Sequence, residues 1–199
     1  EGVTMEFTAF PKMARLSREV VITEKLDGTN ASVLITPGYH GDEHVIHSWF
    51  DEATATDMVM YAGSRTRWIT PGNDNYGFAA WVAENAVVLR GLGAGHHFGE
   101  WWGAGIQRRY GKTDKTFSLF NVARWGADRP ACCDVVPTLY TGMFTTHAVD
   151  EALDQLEQAG SAAAPGFMDP EGIVVFHTAA RVGFKKTIKH DESPKGAVQ

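Results

Sequence analysis

The chain has 199 residues, 44% of them hydrophobic and 21% charged, which suits one globular domain with a full core. Its net charge of -6 excludes binding to polyanions through bulk electrostatics, so any nucleic-acid contact must come from local clusters. No apolar run is long enough to span a bilayer, Glu1 to Glu6 lack the features of a signal peptide, and the two cysteines, Cys132 and Cys133, are adjacent, which excludes a disulfide framework. No membrane partner and a reducing, cytoplasmic location are therefore expected.

Phe7 to Leu16 has no clear periodicity, and Pro11 argues against a long helix there. From Glu19 to Phe50 the pattern is β: a run to Thr23, then Ala31 to Thr36, then Val45 to Phe50. The first two runs read as a hairpin whose first strand delivers Lys25 to a tight polar turn, Lys25-Leu26-Asp27-Gly28. Alternation along such a strand would put Lys25 and Asp27 on one face with Leu26 turned into the core, and Gly28 would allow a sharp bend or a close approach. A lysine amine so placed can attack phosphorus or a carbonyl once it loses its proton; the alternative is a surface hairpin with an ordinary ion pair.

Met58 to Ala62 reads as a strand ending at Gly63-Ser64-Arg65, and Pro71 to Asn75 as a loop. Phe78, Trp81, Val82, Asn85, Ala86 and Leu89 recur at helical spacing, predicting one helix from Phe78 to Arg90 closed by Gly91. The glycines of Leu92 to Gly99 lack the preceding strand and following helix of a dinucleotide fingerprint. Phe98 to Trp102 and Phe117 to Val122 read as strands around a basic turn holding Arg108 and Arg109, and Val135 to Leu139 as a weaker strand. Val149, Leu153, Leu156 and Ala159 mark a helix ending at Gly160; strands from Gly172 to Phe176 and Arg181 to Ile188 follow, then a polar tail frayed beyond His190. A second basic cluster runs from Arg181 to Lys195. Strands outnumber helices without alternating with them, so the fold class is α+β with mainly antiparallel sheets flanked by helices.

Single acids and bases recur beside glycine in apolar surroundings: Glu100 after Gly99, Glu171 before Gly172, Lys185 and Lys186 after Gly183-Phe184. Desolvating such groups is costly, so they are either structural ion pairs or a site gathering Lys25, Arg65, Glu100, Glu171 and Lys185 around a charged ligand. His40, His44 and His47 stand close together, but they span a turn without cysteines, which favours surface histidines over a zinc site.

Glu24-Lys25-Leu26-Asp27-Gly28-Thr29-Asn30 resembles the nucleotidyltransferase motif of ATP-dependent polynucleotide ligases, and most closely that of the phage-type RNA ligases that seal nicks in double-stranded RNA. Ser64-Arg65, Phe98-Gly99-Glu100, Phe117 to Val122, Glu171 to Val175 and Phe184 to Thr187 are similar to that family's further elements, in its order, from about Val20 to about Lys189.

The resemblance implies an adenylyltransferase domain, the ATP-grasp-like catalytic domain of ligases, filling residues 1–199; related ligases usually continue into an OB-fold or helical domain, for which this length leaves no room, so a minimal ligase, a trimmed chain or a partner subunit supplying the accessory domain is expected. It implies that Lys25 forms a covalent lysyl-AMP from ATP and that AMP then passes to an RNA 5′-phosphate, which a 3′-hydroxyl attacks. Lys185 and Lys186 would contact the α-phosphate, Glu171 a Mg2+ or Mn2+ ion, Glu100 the ribose, Arg65 the ribose or an incoming phosphate, and Phe120 the adenine ring. Glu24 would lie beside the base, Asn30 would serve the sealing step, and Arg108 and Arg109 could hold substrate phosphates. Asp27 stands where the nearest branch often has histidine and where DNA ligases have aspartate. A DNA ligase, an mRNA-capping guanylyltransferase and a nucleotide- or RNA-end-binding module without turnover are the competing readings.

Overall fold

The computed structural model describes residues 4–193; Lys195, at the end of the second basic cluster, lies outside them. Two sheets carry the fold. The first holds four strands in the order β11 (Val182–Thr187), β10 (Gly172–His177), β1 (Glu19–Lys25), β9 (Thr138–Met143). The second runs β3 (His47–Asp51), β4 (Thr56–Gly63), β2 (Thr29–Pro37), β6 (Gly95–Gly103), β7 (Lys115–Leu119), β8 (Cys133–Val135), with the short β5 (Trp68–Ile69) paired to β4. Every pairing is antiparallel except β7 with β8, so the molecule is a mixed α+β fold made mostly of sheets, as its composition of strands and helices implies.

Alternation decides which faces are covered. Val20 and Ile22 of β1 and Ile173 and Val175 of β10 share one face, and they pack against Ala148, Ala152 and Leu156 of α3 (Thr146–Ala159). Each of these larger side chains contributes about 1.5–3 kcal/mol by leaving water. Thr145 caps α3 by accepting from Ala148 N–H, and Gly160 ends it at φ 83°, a left-handed turn that suits glycine. The second sheet buries Val33, Ile35, Met60 and Phe117 against Phe78, Val82 and Leu89.

Three sequence expectations are corrected. β1 and β2 do not form a hairpin: both neighbours of each strand are already taken, β10 and β9 for β1, β4 and β6 for β2, so the turn between them is a crossover from one sheet to the other. The single helix from Phe78 to Arg90 is α1 (Phe78–Glu84) and α2 (Ala86–Leu89) followed by a 3-10 turn, Arg90–Leu92. Asn85 separates them, its side-chain amide donating to Trp81 O at 2.9 Å in competition with the backbone ladder. The weak strand from Val135 to Leu139 is split at Pro137, which has no N–H to offer a ladder, into β8 of one sheet and β9 of the other.

Candidate active site around Lys25

Lys25 ends β1 in the interior of its sheet, directly opposite Gly172 of β10. The residue before Gly172 is Glu171, so pairing of the two strands brings its carboxylate to the lysine: Lys25 Nζ lies 2.6 Å from Glu171 Oε2. The side chains are 19% and 8% exposed, which makes this a desolvated pair held by strand register. Ile188 N–H donates to Glu171 O at 2.9 Å and ties the same residue to the end of β11.

The crossover after Lys25 is fixed at each residue. Leu26 is buried with Trp102, Tyr110, Val136 and Ala164, a third cluster built from segments that run between the sheets. Asp27 N–H donates to Tyr110 Oη at 2.7 Å, and Arg108 Nη1 donates to Asp27 Oδ2 at 2.5 Å. Burial pushes the Tyr110 phenol far above its ordinary range, so it remains a neutral hydroxyl at working pH. Gly28 N–H donates to Glu100 Oε1 at 3.0 Å, and Asn30 Nδ2 reaches Glu100 Oε2 at 3.4 Å. A Cβ on Gly28 would lie 2.7 Å from the Trp102 Cβ, so glycine is needed here for close approach.

Arg108 also donates through Nε to Asp169 O at 3.0 Å, and Asp169 Oδ1 accepts from Lys189 Nζ at 2.9 Å. That hydrogen bond from Lys189 holds the Asp169 carboxyl below the usual range. The turn bearing Asp27, the loop before Glu171 and the end of β11 are thereby tied together.

The remaining sequence-predicted residues take varied positions. Lys185 pairs with Val174, which pairs with Thr23, so it shares the sheet face of Lys25 and is exposed there. Lys186 alternates to the other face, 3.9 Å from Asp191 Oδ2. Glu24 also points to the face away from Lys25: its buried carboxylate accepts from Ser161 Oγ at 2.6 Å and from the N–H groups of Ala162 and Ala163 at 2.9 Å. Burial raises the Glu24 pKa, and those three hydrogen bonds offset part of the rise. Phe120 follows β7, is 41% exposed, and donates its N–H to Phe98 O at 3.0 Å. Arg65 is exposed on the turn after β4, and Arg109 is exposed at φ 62°.

Three contributors had no sequence signal. Tyr110 lies in the basic turn but serves the core, Asp169 is one more acid before a proline, and Ser161 opens a small-residue loop. Among the histidines, His47 Nε2 accepts from Arg90 Nη2 at 2.6 Å beside Trp49, and His96 meets Ser32 Oγ at 2.9 Å. Among the described residues, no cluster of His, Cys, Asp and Glu is arranged to hold a metal ion by itself.

Comparison with known proteins agrees with this architecture. A family model described as RNA ligase matches residues 18–190. Solved structures of Naegleria gruberi RNA ligase share the fold: a lysine variant in the apo state at TM-score 0.51 and 17% identity, another with AMP and Mn at 0.51 and 18%, and a third with ATP and Mn at 0.50 and 17%. Each match covers 86% of this chain and 50% of the other, so the chain spans about half the length of the structures it resembles. A search of curated proteins finds no match. With the family model extending from just before β1 to just beyond β11, the chain belongs to the RNA ligase family.

Proposed function

We propose that the protein is an ATP-dependent RNA ligase that joins a 5′-phosphate to a 3′-hydroxyl through a lysyl-AMP on Lys25. The observation carrying this reading is the Lys25–Glu171 pair at 2.6 Å, a nucleophile and a carboxylate placed together by strand register beside a rigid crossover. Lys25 attacks the α-phosphorus of ATP; the Nζ–P bond forms as the bond to the β-phosphate oxygen breaks, and pyrophosphate leaves with the electron pair. Glu171 is placed to take the proton that the amine must lose. An oxygen of the RNA 5′-phosphate then attacks the same phosphorus, breaking the N–P bond and returning a proton to Lys25. Finally the 3′-hydroxyl attacks the 5′-phosphorus, its proton leaves, and AMP is expelled.

Phosphoryl transfer of this kind depends on positioning and neutralised charge. Lys185, on the face of Lys25, is suited to the α-phosphate, and Lys186, Arg65 and Arg109 are cations that a domain movement or bound RNA could bring in. Phe120 offers an exposed ring for the adenine, Glu100 a carboxylate for the ribose, and Asn30 an amide for the sealing step. Glu24 acts from the far face, holding the loop at Ser161 rather than reaching the base through its side chain. A Mg2+ or Mn2+ ion would be held by Glu171 with water and phosphate oxygens completing its shell, and it would supply charge neutralisation at the phosphates. The motif from Glu24 to Asn30 supports placing the substrate among nicked RNA duplexes, with an accessory domain or partner subunit gripping the far side.

Incubation with α-labelled ATP or GTP and magnesium, followed by denaturing electrophoresis, tests the reading. Label from ATP that is lost in Lys25→Ala is expected. Label from GTP would make the protein a capping-type enzyme, and no label on protein shown by intact mass to be unmodified would leave a binding module. Sealing of nicked RNA against nicked DNA separates the two ligase classes.

A further inference from the structure

Residues 4–19 precede the family match almost entirely, and every one of them is exposed. Residues 4–14 form neither helix nor strand. Yet Phe7, Phe10, Met13 and Leu16 stand 89%, 81%, 83% and 62% exposed, far more apolar surface than a solvated leader needs. The sequence of this arm has a three-residue period. Phe7, Phe10, Met13 and Leu16 form one register; Lys12, Arg15 and Arg18 a second; Thr8, Pro11, Ala14 and Ser17, all small or turn-forming, the third. In an extended backbone with three residues per turn these registers become an apolar edge, a cationic edge and a slim edge.

Between Phe7 and Arg18 there is no acidic residue, in a chain whose net charge is -6. The cations are therefore a local exception, and they follow two aromatic rings along the same arm. That combination matches single-stranded nucleic acid, where side-chain cations follow the phosphates and rings accept bases by stacking. At about 3.1 Å per residue, Phe7 and Phe10 would lie about 9 Å apart on their edge. That is close to the room taken by two bases stacked between them at about 3.4 Å per step. The arm is anchored where it meets the fold: the His177 ring hydrogen-bonds Leu16 O at 3.0 Å, and Phe144 N–H donates to Arg18 O at 2.9 Å. From there β1 leads directly to Lys25, about 20 Å further on at the rise of a strand.

We infer that residues 7–18 are an RNA-binding arm that holds a stretch of the substrate strand extending unpaired beyond the nicked duplex, by stacking on Phe7 and Phe10 and by phosphate contacts from Lys12, Arg15 and Arg18. The inference rests on RNA being the substrate. A second copy of this chain is the rival occupant, because the outer face of α3 carries Asp150, Glu151, Asp154 and Glu157, all exposed.

The test is fluorescence anisotropy with a labelled single-stranded 12-nucleotide RNA, which needs no turnover, over a range of salt, alongside sedimentation of the protein alone. Phe7→Ala/Phe10→Ala is expected to weaken binding roughly tenfold or more. Lys12→Gln/Arg15→Gln is expected to weaken it and to flatten the salt slope by about 1.4. Thermal melts check that both variants remain folded, as substitutions at exposed positions should. Unchanged RNA affinity in both variants overturns the arm, as does a loss of dimer with RNA affinity intact, which would assign the arm to a second copy. Failure of the parent chain to take label from ATP would instead overturn the ligase reading, and it is read in a separate assay.

Discussion

Arg108 Nη1 lies 2.5 Å from Asp27 Oδ2, joining the basic turn of the second sheet to the crossover that follows Lys25. The same guanidinium reaches Asp169, two residues before Glu171, so one side chain bridges the two segments that carry the nucleophile and its carboxylate. An arginine so engaged acts on Lys25 through geometry, whereas a phosphate contact would act only when RNA is present.

The two roles separate kinetically. Arg108→Ala is expected to slow formation of the lysyl adduct from ATP in the absence of RNA, and to lower stability by about 2 kcal/mol because Asp27 loses a charged partner in a site where its side chain is 8% exposed. Single-turnover labelling and urea unfolding measure both. A variant that labels at the parent rate and changes only the KM for RNA would return Arg108 to a substrate phosphate.

Glu171→Gln retains the shape of the side chain and removes its capacity to accept a proton. With Nζ only 2.6 Å away, the adduct is expected to form about 100-fold more slowly or worse, with little change in ATP affinity measured without divalent metal. Rapid-quench labelling at saturating ATP measures the rate, and isothermal titration measures the affinity. An unchanged rate would remove Glu171 from proton transfer.

What the sequence reveals here is mostly local. Leu26 turned into the core, the helix ending at Gly160, the strand carrying Glu100 and the strand that Glu171 precedes all follow from periodicity and punctuation, which are properties of neighbouring residues. The sheet crossover at Lys25 is not local: a strand, a polar turn and a strand look the same whether the strands pair with each other or with β10 and β6. Arg108 illustrates the same limit in the site, since nothing in a basic turn tells that Asp27 and Asp169 are brought to it from 81 and 61 residues away. Glu24 adjoins Lys25 in sequence, but alternation sends its side chain to the opposite face, where its partner Ser161 lies 137 residues away.

Glu24 gives a pH prediction. Burial raises its folded pKa above the ordinary value of 4.5, so its ionisation opposes folding. Its contribution is fully present below about pH 4.5 and is lost as pH rises through the raised folded value. Relative to Glu24→Gln, the parent should therefore gain stability as pH falls from 7 toward 4.5, by at most about 1.4 kcal/mol per pH unit. Urea unfolding of both proteins across that range checks it; a difference that does not vary with pH, or that moves the other way, would mean that the hydrogen bonds from Ser161, Ala162 and Ala163 outweigh burial.

Gly28 supplies the sharpest steric test. Its amide is held by Glu100, and a methyl group there would run into the Trp101 carbonyl and approach the Trp102 Cβ to 2.7 Å, both on β6 of the second sheet. Trp101 is strand backbone paired to Thr29, and Gly28 immediately precedes that strand with its amide held by Glu100, so the contact cannot open without loosening the start of the ladder of β2 with β6. Gly28→Ala is expected to cost about 1–3 kcal/mol as overpacking and to displace the crossover, taking Lys25 off Glu171. Covalent labelling should fall well beyond what the stability loss explains, because a shift of about 1 Å at a reacting group can cost 100-fold in rate. Thermal unfolding and single-turnover labelling on the same preparation check this: a folded variant that labels at the parent rate would show that the crossover has slack and that the Glu100 bond to Gly28 does not position the lysine.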